Sequence, residues 1–355
     1  MERISSGSCE GRARLGSLLV LLMLGCNKAA PAPPNMSAAT VDAGETPIQS
    51  GTCVHPTIEA RCHDGMCLVP AGCYLRGSPR DEPHRGRYTE EQREVTLTHP
   101  FLMGTYETTQ AEWTSLGYRI QPPTDVSEKN MNGARTCSEP SCPATRLTWY
   151  EAVEFANERS RREGRQLCIE LLGCSGKVGE DFECTGYKQT TKSYYECDGY
   201  RLPTSVEFEY ATRAGTRTAF YSGSYEPPSD DCVAIEHLMD AAWYCKNSKN
   251  ATHPVGLKKP NAWGFFDLMG NVAEMTASAP EDTVGMGPAT DPQGTLDLSG
   301  HLVFAGGIFH STPSTLRSAL QALALVVELP RASSIGPGIG FRLVRTVSSA
   351  EAATW

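Results

Sequence analysis

Apolar positions recur at helical spacing in two stretches of the chain. Thr148-Trp-Tyr-Glu151 has the Thr-x-x-Glu form of a capping box, and Ala152, Phe155 and Ala156 follow at core spacing. The pattern predicts a helix running to about Arg162. Thr204-Ser-Val-Glu207 repeats it and predicts a second helix to about Arg213, with Phe208 and Ala211 on one face. In each box the Thr hydroxyl accepts from the N–H three residues on, and the Glu reaches back. Elsewhere apolar runs are short and alternating, as in Glu94-Val-Thr-Leu-Thr98, with Gly and Pro every few residues. Such a chain makes an α+β fold with little regular secondary structure.

The stretch Asn261-Ala-Trp-Gly-Phe-Phe-Asp-Leu-Met-Gly-Asn-Val-Ala-Glu274 stands apart from both patterns. Gly264 and Gly270 suit a tight loop, while Trp263, Phe265 and Phe266 are too large and apolar to be left in water. A buried irregular loop carries backbone groups that need partners. Asp267, Asn271 and Glu274 are suited to supplying them or to holding a cation.

The chain opens with a targeting segment over residues 1–26. Arg3, Arg12 and Arg14 precede the apolar run Leu15 to Leu24, too short to anchor stably across a bilayer. Its end, Leu-Met-Leu-Gly-Cys26, is similar to a bacterial lipoprotein signal, in which the Cys is lipidated and becomes the new amino terminus. Ordinary secretory cleavage nearby, with Cys26 a plain thiol, is the competing reading. Residues 27–52, rich in Pro and Ala, hold too little apolar bulk to fold and read as a tether. The same lipoprotein resemblance implies, from Asn27 rather than Asp after the Cys, the outer membrane or cell surface as the destination. The remainder reads as one large domain over 53–347 and a short C-terminal tail over 348–355. A net charge of −9 argues against a nucleic-acid binder, which would need a basic face.

Of fourteen cysteines, Cys9 leaves with the leader and Cys26 is the lipid candidate. The remaining twelve form an even set in an exported chain, which reads as a disulfide framework. Close spacing suggests Cys137–Cys142 and Cys232–Cys245, with Cys168, Cys174, Cys184 and Cys197 forming two more pairs. Those four lie in an insert over 163–200 that is poor in apolar residues and reads as a stiffening cap. No paired C-x-x-C motifs offer a zinc site.

Asn261 to Glu274 closely resembles the signature of the formylglycine-generating enzymes, or sulfatase-modifying factors. Arg201-Leu-Pro-Thr-Ser-Val-Glu-Phe-Glu-Tyr-Ala-Thr-Arg213, Gly340-Phe-Arg-Leu-Val-Arg345, Tyr106-Glu107-Thr108-Thr109, and Val69-Pro70-Ala71-Gly72 with Gly77-Ser78 are similar to four further motifs of that family, in the family's order. The resemblance implies a C-type-lectin-like fold.

Oxidising members of the family hold copper(I) through two cysteines after a Gly-Gly pair, a soft ion selecting thiolates. Counting on from Gly306-Gly307 places Ser311 and Leu316 at those positions, and no cysteine follows Cys245. Copper is therefore not expected, and no catalytic residue is assigned. His310 beside Ser311 invites a nucleophile reading, but no orienting carboxylate accompanies it. His237, His253 and His301 lack metal spacing.

The resemblance also implies a calcium site made of Asp267, the carbonyls of Gly270 and Val272, and Glu274, hard oxygens of the kind that ion prefers. Ala273 and Met275 replace the tryptophans usual beside it. Arg317 and Arg342 match arginines widespread in the fold and are expected to pair with carboxylates such as Glu207 or Glu209.

Two functions follow from these residues. The favoured one is a lipid-anchored binding or assembly module at the cell envelope, its ligand an envelope protein or a glycan. The other is an oxidoreductase of the same family acting through a different site.

Overall fold

The two capping boxes start helices where their spacing places them. Thr148 Oγ1 accepts from Glu151 N–H at 3.1 Å, and the Glu151 carboxylate accepts from Thr148 N–H at 2.8 Å, opening a helix over Trp149–Arg162. Thr204 and Glu207 repeat the exchange and open the Ser205–Arg213 helix, which stops at Ala214 in the left-handed region, φ 41°. All nine residues of this second helix are buried, so it runs through the interior rather than presenting one face to it. A third box, Thr109 with Glu112, opens a short helix over Gln110–Ser115.

These elements belong to a computed structural model that describes residues 53, 55–56, 58–86, 90–121, 133–229, 231–277, 287–294, 301–325 and 336–355. The leader, Cys26 and the tether lie outside the described residues.

The strands are short, as the alternation predicts. One four-stranded sheet is antiparallel throughout, in the order Cys62–His63, Met66–Val69, Phe101–Gly104, Val344–Thr346. Phe101–Gly104 thus lies between a strand from the start of the domain and one from its end, which closes the chain on itself. A second sheet has the order Gln321–Leu325, His301–Ala305, Ala273–Met275, Ile339–Gly340, with only the last pair parallel. A third joins Gly72–Arg76, Arg93–Leu97 and Ala289–Thr290. The 163–200 insert contains the hairpin Ile169–Leu172 with Gly186–Gln189, stapled by Cys168–Cys197 and Cys174–Cys184. Gly179 N–H donates to the buried Glu151 carboxylate at 2.8 Å and so ties the insert to the start of the long helix. The tail is itself ordered: Ser348 caps a helix over Ser349–Thr354, and Trp355 stacks on His63 at 3.7 Å.

Three apolar clusters fill the interior, and the 261–274 loop enters all of them. Trp263, Phe265 and Leu268 join Tyr74, Phe208 and Tyr210; Met269 joins Phe220, Tyr244 and Leu316; Ala273 joins Trp113, Trp149 and Phe341. Phe266 departs from the expectation of full burial: it is half-buried and packs on Tyr106 at 5.1 Å. No helix among the described residues is long and apolar enough to cross a membrane.

The buried arginines pair otherwise than expected. Glu207 is taken by Arg201 through two bonds of 2.7 Å, and Glu209 by Arg213 at 2.8 Å and Arg76 at 3.5 Å. Arg317 instead meets Glu90 at 2.5 and 2.8 Å and Glu82 at 2.8 Å, while Arg342 holds Glu274. The nearer arginine won each helix glutamate: Arg201 and Arg213 lie six and four positions away along the chain. That leaves Arg317 and Arg342 to neutralise carboxylates brought from other strands and loops.

Candidate functional site

Asn261 fixes the start of the central loop. Its Oδ1 accepts from Trp263 N–H at 3.0 Å and Phe265 N–H at 3.1 Å, while its amide donates to the Ala211 and Thr212 carbonyls at the end of the buried helix. Beneath Trp263 and Gly264 lies the Cys62–Cys67 disulfide; a Cβ on Gly264 would stand 2.6 Å from the Cys62 sulfur. Asp267 and Asn271 both take the left-handed conformation, φ 55° and 53°. Asn271 makes this turn serve two strands of contact. Its Oδ1 accepts from His253 N–H at 2.9 Å, and its amide donates to the His253 carbonyl at 3.1 Å and to Glu107 Oε2 at 3.4 Å.

Three carboxylates converge at the end of this loop. Glu274 receives Arg342 through both oxygens, each at 2.6 Å. The same guanidinium donates to the carbonyls of Gly104 at 3.1 Å and Phe266 at 3.0 Å. Asp267 Oδ2 accepts from Gly256 N–H at 2.7 Å, but its Oδ1 has no partner. Glu107 accepts from the N–H of Val272 as well as from Asn271, and its Oε1 has no partner either. Exposure is 1% for Glu107 and 0% for Asp267 and Glu274. Burial pushes Asp267 up to about 6, and burial together with Asp267 and Glu274 holds Glu107 well above the usual carboxylate range.

As ligands for a hard cation, the four positions named from the sequence fit in part. Asp267 offers an open oxygen, whereas both oxygens of Glu274 are engaged by Arg342. Glu107 is the neighbour that sequence reasoning did not assign to this site.

The glycine pair lies against the same loop. Gly270 N–H donates to the Gly306 carbonyl at 2.8 Å, and Phe309 N–H to the Asn271 carbonyl at 2.9 Å. Gly306 and Gly307 both have positive φ, 87° and 73°. A Cβ built on Gly307 would meet Leu316 Cδ2 at 2.7 Å and Ser311 Oγ at 3.2 Å. Ser311 and Leu316 are therefore brought to one place. Ser311 Oγ accepts from Ile308 N–H at 3.0 Å, and Leu316 is fully buried among Phe220, Leu238 and Met269. The twelve cysteines of the described residues form six disulfides; besides those named, they are Cys53–Cys73, Cys137–Cys142 and Cys232–Cys245.

A model of the sulfatase-modifying factor enzyme 1-like domain matches residues 54–347. The chain belongs to this family. Among curated relatives it is 30% identical over 221 residues to the chaperone protein LppX of Paenibacillus barcinonensis, covering 59% of this chain and 70% of that one. It is 34% identical over 94 residues to the formylglycine-generating enzyme of Mycobacterium tuberculosis, which covers 24% of this chain and 29% of the relative. Two solved structures share the sulfatase-modifying-factor fold at 22% identity: Treponema denticola variable protein 1, TM-score 0.59, over 79% of this chain and 95% of that one, and PvdO of Pseudomonas aeruginosa, TM-score 0.58, over 79% and 94%.

Within this sulfatase-modifying-factor domain the histidines sit apart from the Gly306-Gly307 turn or carry no partner suited to catalysis. His253 stacks on Trp243 at 3.8 Å and its Nε2 meets the Ser248 carbonyl at 2.8 Å. His237 lies between Ser222 Oγ at 2.9 Å and the Ser224 carbonyl at 3.0 Å. His310 is exposed and packs edge-on against Phe309. The side chain of His301 lies outside the described residues.

Proposed function

We propose that this chain is an exported, lipid-anchored member of the sulfatase-modifying-factor family that acts as a non-catalytic binding or assembly module at the cell envelope. The supporting observation is the chemistry at the glycine turn. Copper(I) needs soft thiolates, but the two positions that face each other at Gly307 carry a hydroxyl and a buried leucine. The twelve cysteines of the described residues are all in disulfides. A thiol consumed in a disulfide offers no thiolate.

A relative named as a chaperone, matched over 70% of its length, supports a role in assembling or escorting another polypeptide. The leader, with Cys26 following its apolar run, supports export and lipidation, and Asn27 an outer-membrane or cell-surface address. The test supplies the purified chain with copper(I) and a cysteine-containing peptide and follows dissolved oxygen. No uptake above buffer is expected. Sustained uptake matched by peptide oxidation would replace this function with the oxidoreductase one.

A further inference from the structure

One histidine fastens the start of the domain to its core. His55 stands in a box of three buried aromatic side chains, its ring centre 4.8 Å from that of Tyr210, 5.0 Å from Trp263 and 6.1 Å from Tyr74. Beside it Pro56 crosses Gly72, where a Cβ would stand 2.8 Å from the proline ring, so the strand leaves out a side chain to seat it. Ile58 packs against the same apolar cluster. Just ahead of His55, Cys53 is tied to Cys73. Nε2 of His55 accepts from Gly215 N–H at 3.3 Å, next to the end of the buried helix. The neutral ring therefore carries its proton on Nδ1, and a second proton would enter on Nε2 against another donor.

We propose that His55 is an acid-released latch between the tether and the domain. Neutral, it closes the aromatic box; protonated, it leaves, and His55, Pro56 and Ile58 lift away from Tyr74, Tyr210 and Trp263 while Cys53 stays linked to Cys73. The charges around the ring favour this. Arg213 and Arg217 repel a second cation, and Glu209, the carboxylate near Tyr74, is already engaged by Arg213 and Arg76. Burial raises the Tyr74 and Tyr210 hydroxyls, so neither supplies a negative charge. Aromatic faces attract cations, yet burial and the two arginines outweigh them and push His55 down from 6.5 to about 4. A base kept neutral in the closed state holds the latch above 6.5 and loses that hold as pH falls towards 4. The ratio of open to closed latch should rise about 30-fold from pH 7.5 to 5. This inference does not rest on the binding-module function.

Hydrogen exchange of the intact chain, followed by mass spectrometry and corrected for the intrinsic effect of pH on exchange, reads local opening of the latch. Peptides carrying His55 and Gly215 should lose protection about 30-fold between pH 7.5 and 5, while the Trp149–Arg162 helix keeps its own. His55→Phe should keep the latch shut at both pH values. His55→Lys, charged at both, should leave it open at both, so the answer does not hang on one variant folding. Wild-type protection that ignores pH would overturn the proposal. So would equal loosening in His55→Phe, or in the Trp149–Arg162 helix, since either would place the acid sensitivity elsewhere.

Discussion

Asp267→Asn isolates the cost of keeping a charge in the core. The carboxyl titrates near 6 in the fold against an ordinary 3.8, because burial disfavours its ionised form. At 1.36 kcal/mol per pH unit, holding Asp267 ionised at pH 7.5 costs about 3 kcal/mol. An acid whose folded pKa is raised is destabilising above that pKa, and the penalty is relieved as pH falls from about 6 towards 3.8. Asparagine tolerates the left-handed backbone at φ 55° and can still accept from Gly256 N–H. Its amide nitrogen would take the place of the unpartnered Oδ1, facing an acidic neighbour. Metal-free Asp267→Asn should therefore be more stable than wild type by up to about 3 kcal/mol at pH 7.5, with the gain vanishing near pH 4. Urea unfolding in chelator at pH 7.5, 6 and 4.5 reads this directly. A variant less stable than wild type at pH 7.5, or a gain independent of pH, would refute the reasoning.

Three further outcomes are expected. Gly270→Ala puts a Cβ 2.1 Å from the Trp243 carbonyl oxygen at φ +81°; the loss should be about 3 kcal/mol or more, seen as a lower Tm. His55, enclosed by Tyr74, Tyr210 and Trp263, is pushed down from 6.5 to about 4 by burial. A base neutral in the fold confers stability above 6.5 that is lost as pH falls towards 4, so between pH 7.5 and 5 wild type should lose about 2 kcal/mol more than His55→Phe. Fatty-acid labelling in cells should mark the wild type and be absent from Cys26→Ser; equal labelling of both would remove the lipid anchor.

What could be read from the chain was local chemistry. The boxes at Thr148 and Thr204 announce their helices because the signal and the element lie within one turn. The box of Thr109 and Glu112 carries the same pattern, but its helix is only six residues long, too short for an apolar periodicity to mark it. The cysteines at 137 and 142 and at 232 and 245 are joined in the structure across short separations, 5 and 13. Long-range pairing left no such trace. Arg342 meets Glu274 over a separation of 68, Arg317 meets Glu90 over 227, and Asn271 reaches Glu107 over 164. Nothing in the hydrophobic pattern chooses among buried carboxylates for an arginine; the strand order does. The unpartnered oxygen of Glu107 is visible only once Phe101–Gly104 and the central loop have been brought side by side.

Copper at the glycine turn decides the matter most directly. The purified chain competes with a chromophoric chelator for copper(I), with the metal bound per chain as the readout. The expected value is zero, because Ser311 and Leu316 offer no thiolate and the described cysteines are paired. One tightly held copper per chain would contradict a non-catalytic module.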